Sequence, residues 1–221
     1  MATRSPKRHA PRPALTRERV FRAAMAIADK EGLDAVTMRR LGQELGVEAM
    51  SLYHHVQSKD EILDGMADEF VAAIDEPAGA RDWKAAIRER AMAARALVRR
   101  HKWAPHLLAS PRKLSPRMLH YEDWVLGRLL EGGLSCQMAH SAMHLIGSRT
   151  LGFTQELSGV GDDAEAAARK IFGSIDLADY PAFKAILRGG VHHDEDLEFA
   201  FGLDLVLDGL ERARDAEARA T

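Results

Sequence analysis

Apolar residues recur along the chain at the three- and four-residue spacing of amphipathic helices, and Gly, Pro and Ser or Thr punctuate that pattern into segments. Thr16 is placed to N-cap a helix from Arg17 to about Lys30, with Val20, Phe21, Ala24, Ile27 and Ala28 on one face and Gly32 as its stop. Thr37 caps a shorter helix whose inward residues are Met38, Leu41 and Leu45, and Gly46 supplies a tight turn. A third helix is expected from Glu48 to about Val56, with Leu52 and Val56 facing a core together with Val47. Ser58 opens S-K-D-E, a capping box that sets Glu61 three residues on and starts a fourth helix to about Asp75, with Ile62, Leu63, Met66, Phe70, Val71 and Ile74 as its stripe.

Beyond Pro77 and Gly79 the pattern continues as long helices. Asp82 to about His101 carries Trp83, Ile87, Ala91, Ala94, Leu97 and Val98 at helical spacing, and a short helix is expected over residues 103–108. Ser115 and Pro116 form a cap with proline at the first helical position, opening a helix that ends at Gly132 and Gly133. Ser135 caps another that is expected to reach about Leu157. The stretch from Ala164 to Gly190 holds an Ala-rich piece, Pro181 and a Gly189-Gly190 stop. In the last helix, from about Asp194 to Arg219, apolar residues surround most of the circumference between Leu197 and Leu210. A helix facing water on one side does not look like that. One side suits its own domain, and the other suits a second chain, with Gly202 and Gly209 allowing close approach; burial at the centre of one monomer is the alternative. The fold class that follows is all-α, organised as a basic arm over 1–15, a three-helix domain over 16–60 and a larger helical domain over 61–221.

Composition narrows the partners. No apolar run approaches the roughly 20 residues that cross a bilayer, and the N-terminus has charge and proline but no apolar core, so a soluble cytoplasmic protein is expected. The one cysteine, Cys136, has no second cysteine to pair with and no metal-ligand neighbours at the usual spacings. Residues 1–60 carry 11 Lys and Arg against 7 Asp and Glu, whereas the remainder carries 20 against 26. A basic head on an acidic body points to a polyanion held at the N-terminal end only. The arm itself holds Arg4, Lys7, Arg8 and Arg12 without an acid, and suits DNA phosphates.

The outward face of the third helix carries Met50, Ser51, Tyr53, His54 and His55 rather than the Glu and Lys of a merely solvated helix. Those groups bond phosphates or base edges. An inward helix, a short turn and an outward helix of this length form a helix-turn-helix, whose second helix fits a major groove.

GLDAVTMRRLG at residues 32–42 and LGVEAMSLYHHVQSKDEIL at residues 45–63 couple the turn glycine, the Leu52-Tyr53 pair and Lys59 at fixed spacing. From Thr16 to about Met66 the chain resembles the DNA-binding domain of the TetR family of transcriptional regulators, most of all its tetracycline-repressor-like subgroup. EFAFGLDLVLDGLERAR, residues 198–214, resembles the last helix of that subgroup. The resemblance implies that Glu48, Ala49, Met50 and Ser51 enter the groove, with Arg39 reaching bases from the preceding helix. It implies that Tyr53, His54, His55 and Lys59 grip the backbone, and that Thr37 adds a phosphate contact to its cap. It also implies a homodimer, joined by the last helix through Leu197, Phe201, Leu205 and Leu210 and by the helix after Ser135, on double-stranded DNA with inverted half-sites.

For an effector, Met66, His101, Trp103, Met118, Tyr121, Trp124, Met138, Met143, His144 and Phe153 are the large or soft side chains and imidazoles able to line an apolar pocket. The subgroup holds its drug with magnesium through histidine and glutamate. His101 and Glu156 fall at matching places, but Ile74 and Asp75 replace the histidine expected near the end of the fourth helix. The resemblance therefore carries over the pocket without the ligand: an apolar or aromatic small molecule is expected, with no cofactor and no resident metal. Two other classes compete. His140 and His144, four apart, with Glu156 make a conceivable metal-dependent helical hydrolase, and a constitutive architectural DNA binder would lack any small-molecule response.

Overall fold

The computed structural model describes residues 14–79, 82–109, 114–152, 173, 179–188 and 194–220. The basic arm before residue 14 lies outside them, as do Phe153 and Glu156. All regular elements among the described residues are helical: α1 (Arg17–Glu31), a short 3-10 turn (Leu33–Ala35), α2 (Met38–Leu45), α3 (Ala49–Leu52), α4 (Lys59–Ala72), α5 (Trp83–Arg100), α6 (Ala104–Ala109), α7 (Pro116–Glu131), α8 (Cys136–Leu151), α9 (Pro181–Arg188) and α10 (Glu195–Ala220).

The chain forms two compact units that do not follow its order. The first comprises the described residues of Met1–Ala73 and Arg99–Leu119, the second those of Ile74–Val98 and His120–Thr221. In the first, the stripe Val20, Phe21, Ala24, Ile27 and Ala28 of α1 is buried against α4, and Leu41, Leu52, Val56, Ile62 and Met66 are fully buried. Each fully buried Leu or Ile contributes about 1.5–3 kcal/mol relative to exposure. Three caps punctuate the chain as their residue types require: Thr16 Oγ1 accepts from Arg19 N–H (3.3 Å), Thr37 Oγ1 from Arg40 N–H (3.1 Å) and Ser58 Oγ from Glu61 N–H (3.1 Å). The Glu61 carboxylate reaches back to the amide of Gln57 (2.6 Å) and pairs with Arg17, tying α4 to α1.

Asp29 of α1 joins residues 99–119 to this unit. Its Oδ1 accepts from Trp103 Nε1 (2.7 Å) and lies 2.8 Å from His101 Nδ1, while both rings meet Phe70 of α4 edge-on. The indole N–H and the imidazole Nδ1 thus converge on one carboxylate oxygen of the exposed Asp29, while His101 and Trp103 themselves are buried.

In the second unit, α5, α7, α8 and α10 share a core of Ile87, Ala91, Val125, Leu129, Leu134, Ala139, Ala142, Ile146, Phe199, Leu203 and Leu207. A row of ion pairs borders it: Lys84 with Asp208 (2.6 Å) and Glu211 (2.9 Å), Arg88 with Asp204 (2.6 Å), and Arg95 with Glu195 (3.4 Å). Two expectations change here. The helix after Ser135 ends at Leu151 with Gly152 as its C-cap rather than reaching Leu157. Gly202 has a neighbour within its own chain, since a Cβ there would stand 2.9 Å from the guanidinium nitrogens of Arg149 on α8, whereas a Cβ on Gly209 would meet no described atom within 4 Å.

Candidate nucleic-acid interface and effector site

The α2–α3 turn is built from two glycines with different tasks. Gly46 takes a left-handed conformation, φ 67°, that ends α2. Gly42 is inside the helix, where a Cβ would stand 2.8 Å from the carbonyl oxygen of Val47; that carbonyl belongs to the backbone, so a side chain would push the two helices apart. The Val47 N–H donates to Gly42 O (2.9 Å) and closes the turn.

The reading helix is shorter than its expected span of Glu48 to Val56. It ends at Leu52, and Tyr53, His54 and His55 form a turn in which Tyr53 N–H donates to Met50 O (3.2 Å) and His55 N–H to Leu52 O (2.8 Å). The Val56 N–H then donates to Leu52 O (2.9 Å), one α-turn on, and Val56 is fully buried like Leu52. Opposite that anchor, Met50 is 73% and Tyr53 47% exposed, with Glu48, His54 and Lys59 exposed beside them and Ala49, Ser51 and His55 half-buried. Two neighbouring arginines of α2 divide the work. Arg40 is held by Glu31 (2.7 Å) and Glu44 (2.9 Å), which raise its pKa and depress that of Glu31. Arg39 is exposed, and among the described residues no ion pair engages it. The surface salt bridge that competes with a DNA role for an arginine here thus falls to Arg40. With Thr37 exposed at the start of α2, the segment presents cationic, imidazole and phenolic groups on one side of a short helix.

The residues expected to line an effector pocket are divided between the units. Met66 is fully buried on α4, and His101 and Trp103 direct their polar atoms to Asp29, all within the first unit, to which the half-buried Met118 also belongs. In the second unit Tyr121, Trp124, Met138 and Met143 pack half-buried against the core. His144 is exposed, with its Nε2 3.3 Å from that of His140; among the described residues no third His, Cys, Asp or Glu joins them in a metal-binding group.

Tyr121 and Trp124 enclose a residue that apolar spacing overlooked. The guanidinium carbon of Arg90 lies 4.4 Å from the ring centroid of Tyr121 and 4.3 Å from that of Trp124, and the residue is only 3% exposed. Its Nε and Nη1 are buried without a hydrogen-bond partner, and Nη2 stands 3.8 Å from Glu76 Oε1. Each buried unpartnered donor costs about 1–3 kcal/mol. Burial pushes the Arg90 pKa down and that of Tyr121 up. The readable signal was position: Arg90 lies between Ile87 and Ala94 on the inward stripe of α5, where a charge needs a reason.

A cleft of about 530 Å³ opens elsewhere in this unit, lined by Trp83, Lys84, Arg88, Asp204, Asp208 and Glu211 among others. Its cations are already paired, and none of the expected effector residues lines it.

Residues 76–214 match the family model for the tetracyclin repressor-like C-terminal domain, and residues 20–66 that for bacterial regulatory proteins of the tetR family. The chain belongs to the TetR family. It is 35% identical over 214 residues to the HTH-type transcriptional repressor DrrR1 of Streptomyces coeruleorubidus, covering 91% of this chain and 79% of the relative. It is 28% identical over 207 residues to the class C tetracycline repressor protein of Escherichia coli, covering 90% and 92%. Among solved structures, the Streptomyces coelicolor TetR family protein ActR in complex with actinorhodin superposes with a TM-score of 0.75 at 27% identity, covering 89% of this chain and 95% of that one. This TetR-family chain is therefore a ligand-responsive, DNA-binding transcriptional regulator with an N-terminal helix-turn-helix and a helical C-terminal domain. The N-terminal match takes in α1 from Val20 onward, all of α2 and α3 and the first half of α4, and no helix among the described residues is long and apolar enough to cross a membrane.

Proposed function

We propose that this regulator represses transcription as a homodimer on an operator with two inverted half-sites, and that a small apolar or aromatic effector releases it. The observation that carries the reading is the opposition of faces around α3: Leu52 and Val56 are fully buried, while Met50 and Tyr53 stand out beside Arg39, His54 and Lys59. A short helix anchored through Leu52, with Met50 outward and cationic and aromatic groups on the segments that flank it, suits a major groove. Met50, Ser51 and Arg39 address base edges; Ala49 offers only apolar contact; Tyr53, His54, His55, Lys59 and Thr37 hold phosphates.

Pairing is supported by α10. Phe199, Leu203 and Leu207 are buried in their own unit while Leu197, Phe201 and Leu205 are 68%, 67% and 53% exposed at four-residue intervals. That division speaks against a helix wholly enclosed by its own monomer. Leu210 is half-buried against its own core, so the outward stripe is Leu197, Phe201 and Leu205. The effector acts through linkage: it releases DNA only by the difference between its affinities for the DNA-competent state and the released one.

The test is retention of fragments from the organism's own genome by the purified protein, followed by footprinting. Protection of two inverted half-sites by the wild-type protein, and its loss in Tyr53→Ala and Lys59→Ala, is expected. Protection of a single unrepeated site, or equal retention of all fragments, sinks the reading.

A further inference from the structure

The second unit holds a buried cation without an adequate counter-charge. Arg90 lies against the rings of Tyr121 and Trp124, its guanidinium carbon 4.4 and 4.3 Å from their centroids. Its Nε and Nη1 have no acceptor, and Nη2, which completes a two-donor fork with either of them, stands 3.8 Å from Glu76 Oε1, beyond hydrogen-bond distance. Glu76 is 45% exposed and bonds instead to His120 Nε2 at 3.0 Å. Lys84 and Arg88 of this unit are by contrast hydrogen-bonded to Asp208, Glu211 and Asp204, Arg95 reaches Glu195, and Arg128 and Arg149, which each leave a buried Nε unpartnered, bond through Nη2 to Glu131 Oε1 and the Glu198 carbonyl.

A guanidinium presents its donors in a planar fork whose geometry matches a carboxylate. A carboxylate bonds these donors in the guanidinium plane, the direction of a bidentate pair.

We propose that Arg90 reads a carboxylate on the effector, and that Glu76 is the placeholder this carboxylate displaces. The effector class is thus narrowed to an aromatic or apolar acid, with its ring system against Tyr121 and Trp124 and its acid in the plane of Arg90. Glu76 follows Ala72, the last residue of α4, by four positions, so its displacement acts on the segment that continues from the helix beside the DNA reader. The inference rests on the effector-responsive reading above and deepens it.

The test titrates the full-length protein with 2-naphthoate and with the uncharged isostere 2-naphthamide by calorimetry, without DNA. Wild type is expected to bind the acid about 10- to 100-fold more tightly than the amide, the range of a charge-assisted hydrogen-bonded pair. Arg90→Gln should bring the two affinities within about threefold, chiefly by weakening that for the acid, and Glu76→Gln should strengthen binding of the acid more than that of the amide. Arg90→Lys, which keeps the charge and loses the fork, should fall between; it carries the test if circular dichroism shows Arg90→Gln unfolded. Equal wild-type affinities, no binding of either probe at millimolar concentration, or undiminished discrimination by the Arg90 variant overturns the proposal. Failure of the regulator reading is separable: it is lost operator protection by the wild-type protein, whatever the probes do.

Discussion

Gly65 of α4 lies directly beneath Phe21 of α1: a Cβ on the glycine would stand 2.3 Å from Cζ of the ring. The ring is 9% exposed and is not the loose end of a flexible chain, so a methyl group there forces the helices apart. Overpacking of this kind costs about 1–3 kcal/mol. Gly65→Ala should lower the denaturation midpoint by a corresponding amount, and Phe21→Leu in the same chain should recover part of the loss. An unchanged midpoint would mean that α1 and α4 pack less closely than described.

Arg39 and Arg40 are adjacent, yet substituting them should have opposite consequences. Arg40→Ala removes the bonds to Glu31 and Glu44, so the melting temperature falls slightly and the preference among operator variants is kept. Arg39→Ala should leave melting unchanged and relax the preference at one or two operator positions, each mismatch there costing less than the usual ~1–3 kcal/mol. Competition binding against single-base operator variants separates the two.

Much of the first unit was legible because its information is local. The caps at Thr16, Thr37 and Ser58 and the stripe from Val20 to Ala28 each depend on residues within a turn or two, and the structure places them as the spacing demands. What escaped depends on distant partners. Asp29 receives His101 and Trp103 across more than 70 positions, and that carboxylate draws residues 99–119 into the first unit. No periodicity reports such a bond. Arg90 was hidden differently: the stripe of α5 was read through its apolar members, and the charge among them was passed over. The early end of α3 was illegible because Leu52 and Val56, four residues apart, are both core positions whether the backbone between them continues as helix or forms the observed turn.

Lys59 and Tyr53 should reveal themselves through salt. A phosphate contact releases counterions, so each lost contact lowers the slope of log K against log salt concentration by about 1. Lys59→Ala should show that reduced slope and weaken all operator sequences nearly uniformly. Tyr53→Phe, losing only the hydroxyl, should weaken binding less than Tyr53→Ala. An unaltered slope for Lys59→Ala places that ammonium away from phosphate.

The pairing of α5 with α10 should give stability two pH limits. Hydrogen bonding and charge from Lys84 hold the Asp208 carboxyl below its ordinary range, and Asp208 and Glu211 raise the Lys84 ammonium above its own. A depressed acid contributes stability above its unfolded pKa, about 4, and loses it as pH falls through the folded value. A raised base contributes below its unfolded pKa, about 10.4, and loses it as pH rises through the folded value. Melting temperature should therefore fall below about pH 4 and above about pH 10.5. Asp208→Asn should flatten the acid limb, and Lys84→Met both limbs, with salt weakening the wild-type dependence because the groups are exposed.

The stripe on α10 gives the most direct test of assembly. Leu197, Phe201 and Leu205 form one continuous exposed apolar stripe rather than three unconnected side chains, because four-residue spacing aligns them along one side of the helix. In a two-fold pair such a stripe meets its own copy, so one substitution acts twice in the interface. Phe201→Glu places two carboxylates near the contact and removes two rings from it. Light scattering should give a dimer for wild type at micromolar concentration and a monomer for this variant. The core on the other side of α10, Phe199, Leu203 and Leu207, is untouched, so circular dichroism should report retained helix. The monomer still carries one α3, and it should hold a half-site weakly while losing the gain from simultaneous contact with two. A wild-type monomer, or a variant that stays dimeric with full operator affinity, would place the interface elsewhere than on this stripe.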